Sequence, residues 1–494
     1  MTDHVALEHI STLKTEQEEA ARNRAAAERG DAPLLPSERL WGFWEFTYAN
    51  SALAIATWAF LIGGSVGLFV GPKEGIAAII IGNIVGVVLT ALATTTMTGR
   101  YGVEQFVALR SQFGYNGSRV VYVLAVVILT MGWLAVLAMM FGRSIDGLMA
   151  LSAGEAANPT GAKMIIAAIG AILLTWFIVA KGPTSIKFFN MVVSPALVLL
   201  MVAMLYLILS HHSIGELLAL PALAPPFEDK TLNFIVAVEV NLAAGFSWWP
   251  YIGNLARLTK NERTAFWPNV LGIFGAAALG EIVGLLAAVA LGESDPTIWM
   301  TKIAGPMIGI VALLFVAFAN MTSMANILYT SIVGLRQIGT ASVRAISWGA
   351  ILFLFCLIPF GLVVFHPQMY DGFFIFLVWT SALNSALAGI GIADYFFLRG
   401  QKLDMRSLHG PQENGPYRFW AGFNPIGLFA LAVGFIVYVA VFNPQTLASL
   451  PAFKYLTASV PSCLAAGATH YVLTRLFARG RGWANTRNAW RRPP

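Results

Sequence analysis

Twelve apolar runs, each long enough to cross a bilayer, constrain this chain more than any other feature. A spanning helix needs roughly 20 apolar residues. Runs of that kind fall at about 43–70, 75–97, 120–142, 162–180, 188–210, 231–253, 266–292, 305–333, 345–365, 371–397, 422–442 and 455–478. At about 25 residues each they occupy most of the 494 residues and leave only tails and short loops. Charged residues make up 11% of the chain, with a mean hydropathy of +0.70, against roughly 25% charged in ordinary soluble domains. A soluble enzyme, a disordered chain and a nucleic-acid binder are thereby excluded. Cys356 and Cys463 lie inside apolar stretches and offer no disulfide framework. The expected class is an all-α polytopic membrane protein with the bilayer as its solvent.

Orientation follows from the Lys/Arg bias of the loops. With the polar N-terminal segment inside, 25 of the 31 basic residues fall on the cytoplasmic side. The remaining ones, Lys73, Arg143, Lys163, Lys230, Lys302 and Lys454, fall outside. Both termini are therefore expected in the cytoplasm, in a cytoplasmic (inner) membrane. This distribution accounts for the net charge of +6 without a nucleic-acid partner. No apolar run follows an early basic cluster, so no cleavable signal peptide is expected.

Two spans carry helix-breaking sequence. The first contains Gly63-Gly64 and Gly67 after the small-residue stretch Ser51–Thr57; the sixth contains Ala243–Pro250 and ends at Gly253. Pro250 lacks a backbone donor and clashes with the preceding turn. The interruptions stand five spans apart, as they would in two inverted five-helix halves. Paired interrupted helices of this kind mark the mid-membrane site of secondary transporters, although glycine also serves plain close packing. The eighth span gathers Asn320, Thr322, Ser323 and Asn326. Adjacent hydroxyls beside exposed carbonyls of an unwound segment make an all-oxygen cage suited to a hard monovalent cation, where a lone hydroxyl would read as helix–helix bonding. Glu239 and Glu281 are ionisable at membrane depth and so are functional candidates. Asp146 and Asp394 fall near span ends, as solvated groups or caps. Trp133 is central in its span, away from the interface where tryptophan belongs, and is either a packed aromatic or a platform for a planar ligand.

Three stretches make the chain similar to a known family. The loop after the second span reads Gly102…Arg110-Ser-Gln-Phe113-Gly114-Tyr-Asn-Gly117-Ser118. The tenth span ends in Ala393-Asp394-Tyr395-Phe396, and Gly415-Pro-Tyr417 through Gly422-Phe-Asn424 follows. With the twelve-span layout from about 36 to 478, this resembles the nucleobase:cation symporter-1 family. The resemblance implies a ten-helix core of two inverted repeats, with discontinuous helices 1 and 6 and two peripheral helices. It implies a planar nitrogen heterocycle carried with Na⁺ or H⁺. Matched position by position, a sodium site would use the carbonyls of Ala52, Ile55 and Ala319 and the hydroxyls of Thr322 and Ser323. On the substrate side Trp133 matches a stacking tryptophan. The positions of the first span's polar contact are Ala56 and Thr57, the second aromatic falls near Gly245-Phe246 with Trp248 and Trp249 further on, and Asn326 is the best polar contact. Ala56, and Leu137 on the third span, depart from hydantoin carriers.

The expected organisation is a cytoplasmic tail over 1–40, a first five-helix repeat over 41–230 and an inverted second repeat over 231–400. A cytoplasmic loop over 401–421, two further helices over 422–478 and a basic cytoplasmic tail over 479–494 complete it. The expected function is Na⁺-coupled import of a nucleobase-like heterocycle (purine, pyrimidine, hydantoin or allantoin-like) by alternating access, with no cofactor beyond the coupling ion and with a monomeric chain. The alternative on the same fold is an H⁺-coupled carrier of a vitamin precursor, allantoin or an amino acid, using Glu239 or Glu281. The sequence has no HExxH motif, and its GxSxG match, Gly63–Gly67, lies inside the apolar first span rather than at a strand-to-helix turn, so an intramembrane enzyme is not expected.

Overall fold

The computed structural model describes residues 34–39, 41–410 and 415–477, with the backbone alone for 183–192, 194 and 303–306. The tail expected over 479–494 and nearly all of that over 1–40 lie outside the described residues. Among the described residues the chain is helical and forms no strand, only isolated bridges. The first span is a pair, α1 (Phe43–Ala54) and α2 (Thr57–Phe69), bent by 59°. Next come α3 (Pro72–Tyr101), α4 (Arg110–Ala153), α5 (Ala162–Ala180) and α6 (Pro183–His211). The sixth span comprises α7 (Lys230–Ser247) and α8 (Trp249–Ala256). Then come α9 (Glu262–Leu291), α10 (Pro296–Ile338), α11 (Trp348–Phe365), α12 (Phe373–Leu398), α13 (Pro425–Val441) and α14 (Ser459–Phe477). Each of the twelve expected spans lands on one helix or helix pair. The eighth begins at Pro296 rather than near 305, because Asp295 accepts the Thr297 amide at 2.8 Å and Pro296 suits the first turn.

The packing pairs reciprocally. The first span packs on α9 as the sixth packs on α3; α1 meets α6 as α7 meets α12; α9 meets α6 as α3 meets α12. Exchanging the first five spans with the second five maps each contact onto its counterpart, which is the inverted-repeat core. Glycine permits the closest of these crossings. A Cβ on Gly245 would stand 2.7 Å from the Gly86 backbone, and one on Gly284 would collide with the Phe60 carbonyl oxygen. Such small-residue crossings let helix backbones touch in the absence of a hydrophobic drive between helices.

The last two helices attach to α12 and to each other, and a buried carboxylate fixes them to the core. Glu239 of α7 accepts the backbone amides of Ala458 at 2.8 Å and Ser459 at 3.1 Å, with the hydroxyls of Tyr438 at 2.7 Å and Ser459 at 2.5 Å. It caps the first turn of α14 from another helix, where a negative charge complements the helix dipole. The recognisable loop motifs form a second clamp. Asp394 is buried, accepts Arg399 Nε at 2.6 Å and Ser111 Oγ at 3.1 Å, and faces His470 at 3.3 Å. It is therefore neither solvated nor a helix cap. Asn424 donates to the Gln112 carbonyl at 2.6 Å, and Arg110 donates to that of Leu408 at 2.6 Å. Gly114 takes φ +78° against the Gly422 backbone, a conformation that glycine adopts without penalty.

Gly86→Leu should abolish the α3–α7 crossing, since overpacking costs about 1–3 kcal/mol even where side chains can shift and here the obstacle is backbone. Gly275, with open space around it, should tolerate alanine. Monodisperse folded protein on size-exclusion chromatography is the readout, and equal recovery of both variants would contradict this packing.

Candidate functional site

The first span breaks because two residues leave the helical region. Ile55 has φ −99°, ψ 101° and Ala56 has φ −152°, ψ 179°. In an unbroken helix the Thr57 amide would bond the carbonyl of Leu53, four residues back. The eighth span supplies both missing partners. Asn320 accepts the Thr57 amide at 3.2 Å and donates to the Thr57 hydroxyl at 2.8 Å, while Ser323 donates to the Leu53 carbonyl at 3.0 Å. Buried backbone groups must be satisfied inside protein at this depth, so α10 substitutes for the lost turn. The sixth span is interrupted only at Trp248 (φ −73°, ψ −13°) and continues as α8.

The residues expected to hold a cation come to this junction. Ala52, Ile55, Ala319, Thr322 and Ser323 are all buried, on the two segments that the Leu53–Ser323 and Thr57–Asn320 bonds join. The Thr322 hydroxyl donates to the Ala319 carbonyl at 2.7 Å. A hydroxyl whose hydrogen already serves a carbonyl still presents its lone pairs. The donor set is thus oxygen only and carries no charge, which fits a weakly charged hard cation. Among the described residues no group of His, Cys, Asp and Glu could hold a transition metal.

Next to the junction lies a partly open recess of about 300 Å³, a volume that includes open solvent at its mouth. Trp58, Trp133, Trp248 and Tyr251 wall it, with Leu53, Leu137, Ile327 and the hydroxyls of Ser247 and Ser323. Its rings meet edge to face: Trp58 with Trp133 at 6.4 Å and 85°, and Trp58 with Trp248 at 5.5 Å and 68°. Behind Trp133 stand Phe373 and Phe376, at 5.4 and 5.7 Å. The indole N–H groups of Trp133 and Trp248 are buried with no hydrogen-bond partner among the described residues. Among the described residues no Lys, Arg, Asp, Glu or His lines the cavity.

The other expected substrate residues stand back from this wall. Thr57 is committed to Asn320, and its neighbour Ala56 is part of the break. Gly245 lies against Gly86, and its carbonyl accepts Thr90 Oγ1 at 3.2 Å. Phe246 is fully buried and outside the lining. Trp249 faces the other way, edge-on to Phe106 at 6.1 Å, with its carbonyl taking the Gln105 amide at 2.7 Å. Asn326 is buried and donates to the Thr322 carbonyl at 2.8 Å, one residue short of the lining residue Ile327. Trp248 therefore takes the place expected of the Gly245-Phe246 region and Trp249, because successive helical residues point about 100° apart. Trp58, Tyr251 and Ser247 were not foreseen. Their signal is position: each follows a helix interruption or adjoins it. Glu239 and Glu281 do not line the cavity either.

Comparison with known proteins agrees with this architecture. The sequence model of the family described as permeases for cytosine/purines, uracil, thiamine and allantoin matches residues 33–460. The hydantoin permease of Microbacterium maritypicum is 26% identical over 464 residues, covering 89% of this chain and 91% of the relative. The purine-uracil permease of Arabidopsis thaliana is 23% identical over 438 residues, covering 83% and 70%. Among solved structures, that of Mhp1, a nucleobase-cation-symport-1 family transporter in a closed conformation with bromovinylhydantoin bound, superposes with a TM-score of 0.73. Its identity is 22%, and the match covers 90% of this chain and 95% of that one.

Asn320→Ala should leave the Thr57 amide unpaired at the break, a loss of about 1–3 kcal/mol for a buried polar group. A lowered thermal midpoint in detergent is the expected result, and an unchanged midpoint would remove Asn320 from its role in holding the break.

Proposed function

The chain belongs to the nucleobase:cation symporter-1 family, the permeases for cytosine and purines, uracil, thiamine and allantoin, and on that premise we propose that it imports a neutral planar nitrogen heterocycle together with Na⁺. The family is one of transporters, and the chain is read as a multi-pass carrier rather than an enzyme. We place it in the cytoplasmic membrane, with both termini inside, acting as a monomer.

One observation supports coupling above the rest. Ser323 bonds the Leu53 carbonyl at the broken backbone, and both residues also line the aromatic cavity. A cation that draws on this backbone and on the Thr322 and Ser323 hydroxyls would fix the wall against which the ring packs. Cation and ring would then each raise the other's affinity by the same factor. The ring would lie among Trp58, Trp133 and Trp248. The indole N–H groups of Trp133 and Trp248 suit a cargo with carbonyl oxygens or ring nitrogens as acceptors, since the Ser247 and Ser323 hydroxyls have already given their hydrogens to the Ala244 and Leu53 carbonyls. An uncharged lining disfavours an amino acid, whose ammonium and carboxylate would both be buried without partners. It also leaves H⁺ coupling through Glu239 or Glu281 without a carboxylate at the cavity.

With Thr322→Ala plus Ser323→Ala, affinity for the heterocycle should fall at least about 5-fold in Na⁺ buffer, the lower end of usual coupling energies, and change little without Na⁺. Calorimetric titration at several Na⁺ concentrations is the check, and an affinity independent of Na⁺ in the unmodified protein would end the sodium reading. Trp133→Leu and Trp248→Leu should each weaken binding by about 10-fold, in keeping with roughly 0.5–1.5 kcal/mol for an aromatic pair beyond its buried area. Equal binding by both variants would place the ring elsewhere.

A further inference from the structure

Glu281 is fully buried on α9, where that helix crosses α2 and α3, and α3 in turn crosses α7. Its Oε2 accepts Asn83 Nδ2 at 2.5 Å. The same nitrogen also lies 3.1 Å from Asn241 Oδ1 and 3.1 Å from the Ile79 carbonyl. Asn241 in turn donates to the Ala237 carbonyl at 2.7 Å. Two acceptors of this cluster, Glu281 Oε1 and Asn83 Oδ1, are buried with no donor among the described residues. Asn83 and Asn241 are themselves fully buried.

The shortage is of hydrogens. An ionised carboxylate and an amide oxygen can only accept, and each buried acceptor without a donor is costly. Turning the Asn83 amide over does not help, because its oxygen would then face Oε2 and still need a hydrogen between them. Nor does a cation relieve the charge. Glu281 forms no ion pair among the described residues. The segment α2 has no ionisable residue, and those of α3 (Lys73, Glu74, Arg100 and Tyr101) lie at its ends. On α7, Lys230 is at the start and Glu239 bonds Tyr438 and Ser459 instead. On α6 the side chain of Tyr206 is exposed and His211 ends the helix. An isolated buried anion is far costlier than its neutral acid.

We propose that Glu281 is a proton-binding site: it holds a resident proton, shared with the Asn83 amide, which closes the α3–α7–α9 crossing as a neutral acid–amide pair. All three side chains stand on the second, sixth and seventh spans, and none lines the aromatic cavity. The proton is a structural ligand of the fold and not a transported ion. Only that last statement rests on the transport reading; the protonation state does not.

The test uses purified full-length protein without substrate, so its outcome is independent of what the carrier moves. Infrared difference spectra at neutral pH, unmodified protein minus Glu281→Gln, should show the C=O stretch of a protonated carboxylic acid with its downshift in D₂O. Glutamine mimics the neutral acid, so Glu281→Gln should keep the thermal midpoint that Glu281→Ala loses. Asn83→Ala retains the acid without its amide partner and should move the band to higher frequency, which assigns it even where the glutamine variant fails to fold. Carboxylate bands in place of the acid band would overturn the proposal. So would a Glu281→Gln midpoint as low as that of Glu281→Ala, or an acid band that Asn83→Ala leaves unmoved.

Discussion

The structure turns on an exchange of hydrogen-bond partners at the break in the first span. A membrane helix normally satisfies its own backbone, and a chain that opens one of its turns in the bilayer must close those groups elsewhere. Here Asn320 and Ser323 of α10 take over the Thr57 amide and the Leu53 carbonyl. This substitution lets an extended Ile55–Ala56 segment stand beside a cavity at all, and it ties the geometry of one repeat to a helix of the other. Every functional group near the site, from the Thr322 hydroxyl to the Trp58 indole, takes its position from that junction.

The two repeats bring their openings to one cavity, but they open unequally. The first span bends by 59° across two extended residues, while the sixth departs from helix at Trp248 alone. Pro250 falls within the first turn of α8, where its missing amide costs nothing, so its presence in the sequence exaggerates the break. Trp58 follows the first interruption and Trp248 marks the second, and their rings meet at 5.5 Å. The aromatic wall is thus built from what the interruptions expose.

Much of this was legible beforehand, for reasons that differ by residue. Spans follow from apolar run length, which the bilayer sets directly, and all of the expected runs are helices. The polar cluster at Asn320–Asn326 stood out because polar groups are rare at that depth, and Trp133 because tryptophan belongs at the interface. The face of a helix was not legible. Trp248 and Trp249 are adjacent and chemically equal, and only the rotation of α7 against α3, fixed by Gly86 and Gly245, decides which indole reaches the cavity. Nor was the task of Glu239. Its donors are the amides at the start of α14 and the hydroxyls of Ser459 and Tyr438, some 200 positions on in sequence, so nothing in its own span announces such non-local partners.

The buried carboxylates separate by what surrounds them. Glu239 meets two amides and two hydroxyls at a helix start, so both of its oxygens have donors. Asp394 meets a guanidinium, whose planar fork suits a carboxylate. Glu281 meets an amide that is already short of hydrogens. The same functional group thus serves as a cap, an ion-pair partner and a neutral acid within one chain, and in each case the arrangement joins helices rather than facing cargo. The cavity that remains is uncharged, bounded by indoles and hydroxyls. On the proposed cation-coupled reading, charge would enter it with the cation alone, and a neutral ring would bind beside that ion without a second charge to be desolvated.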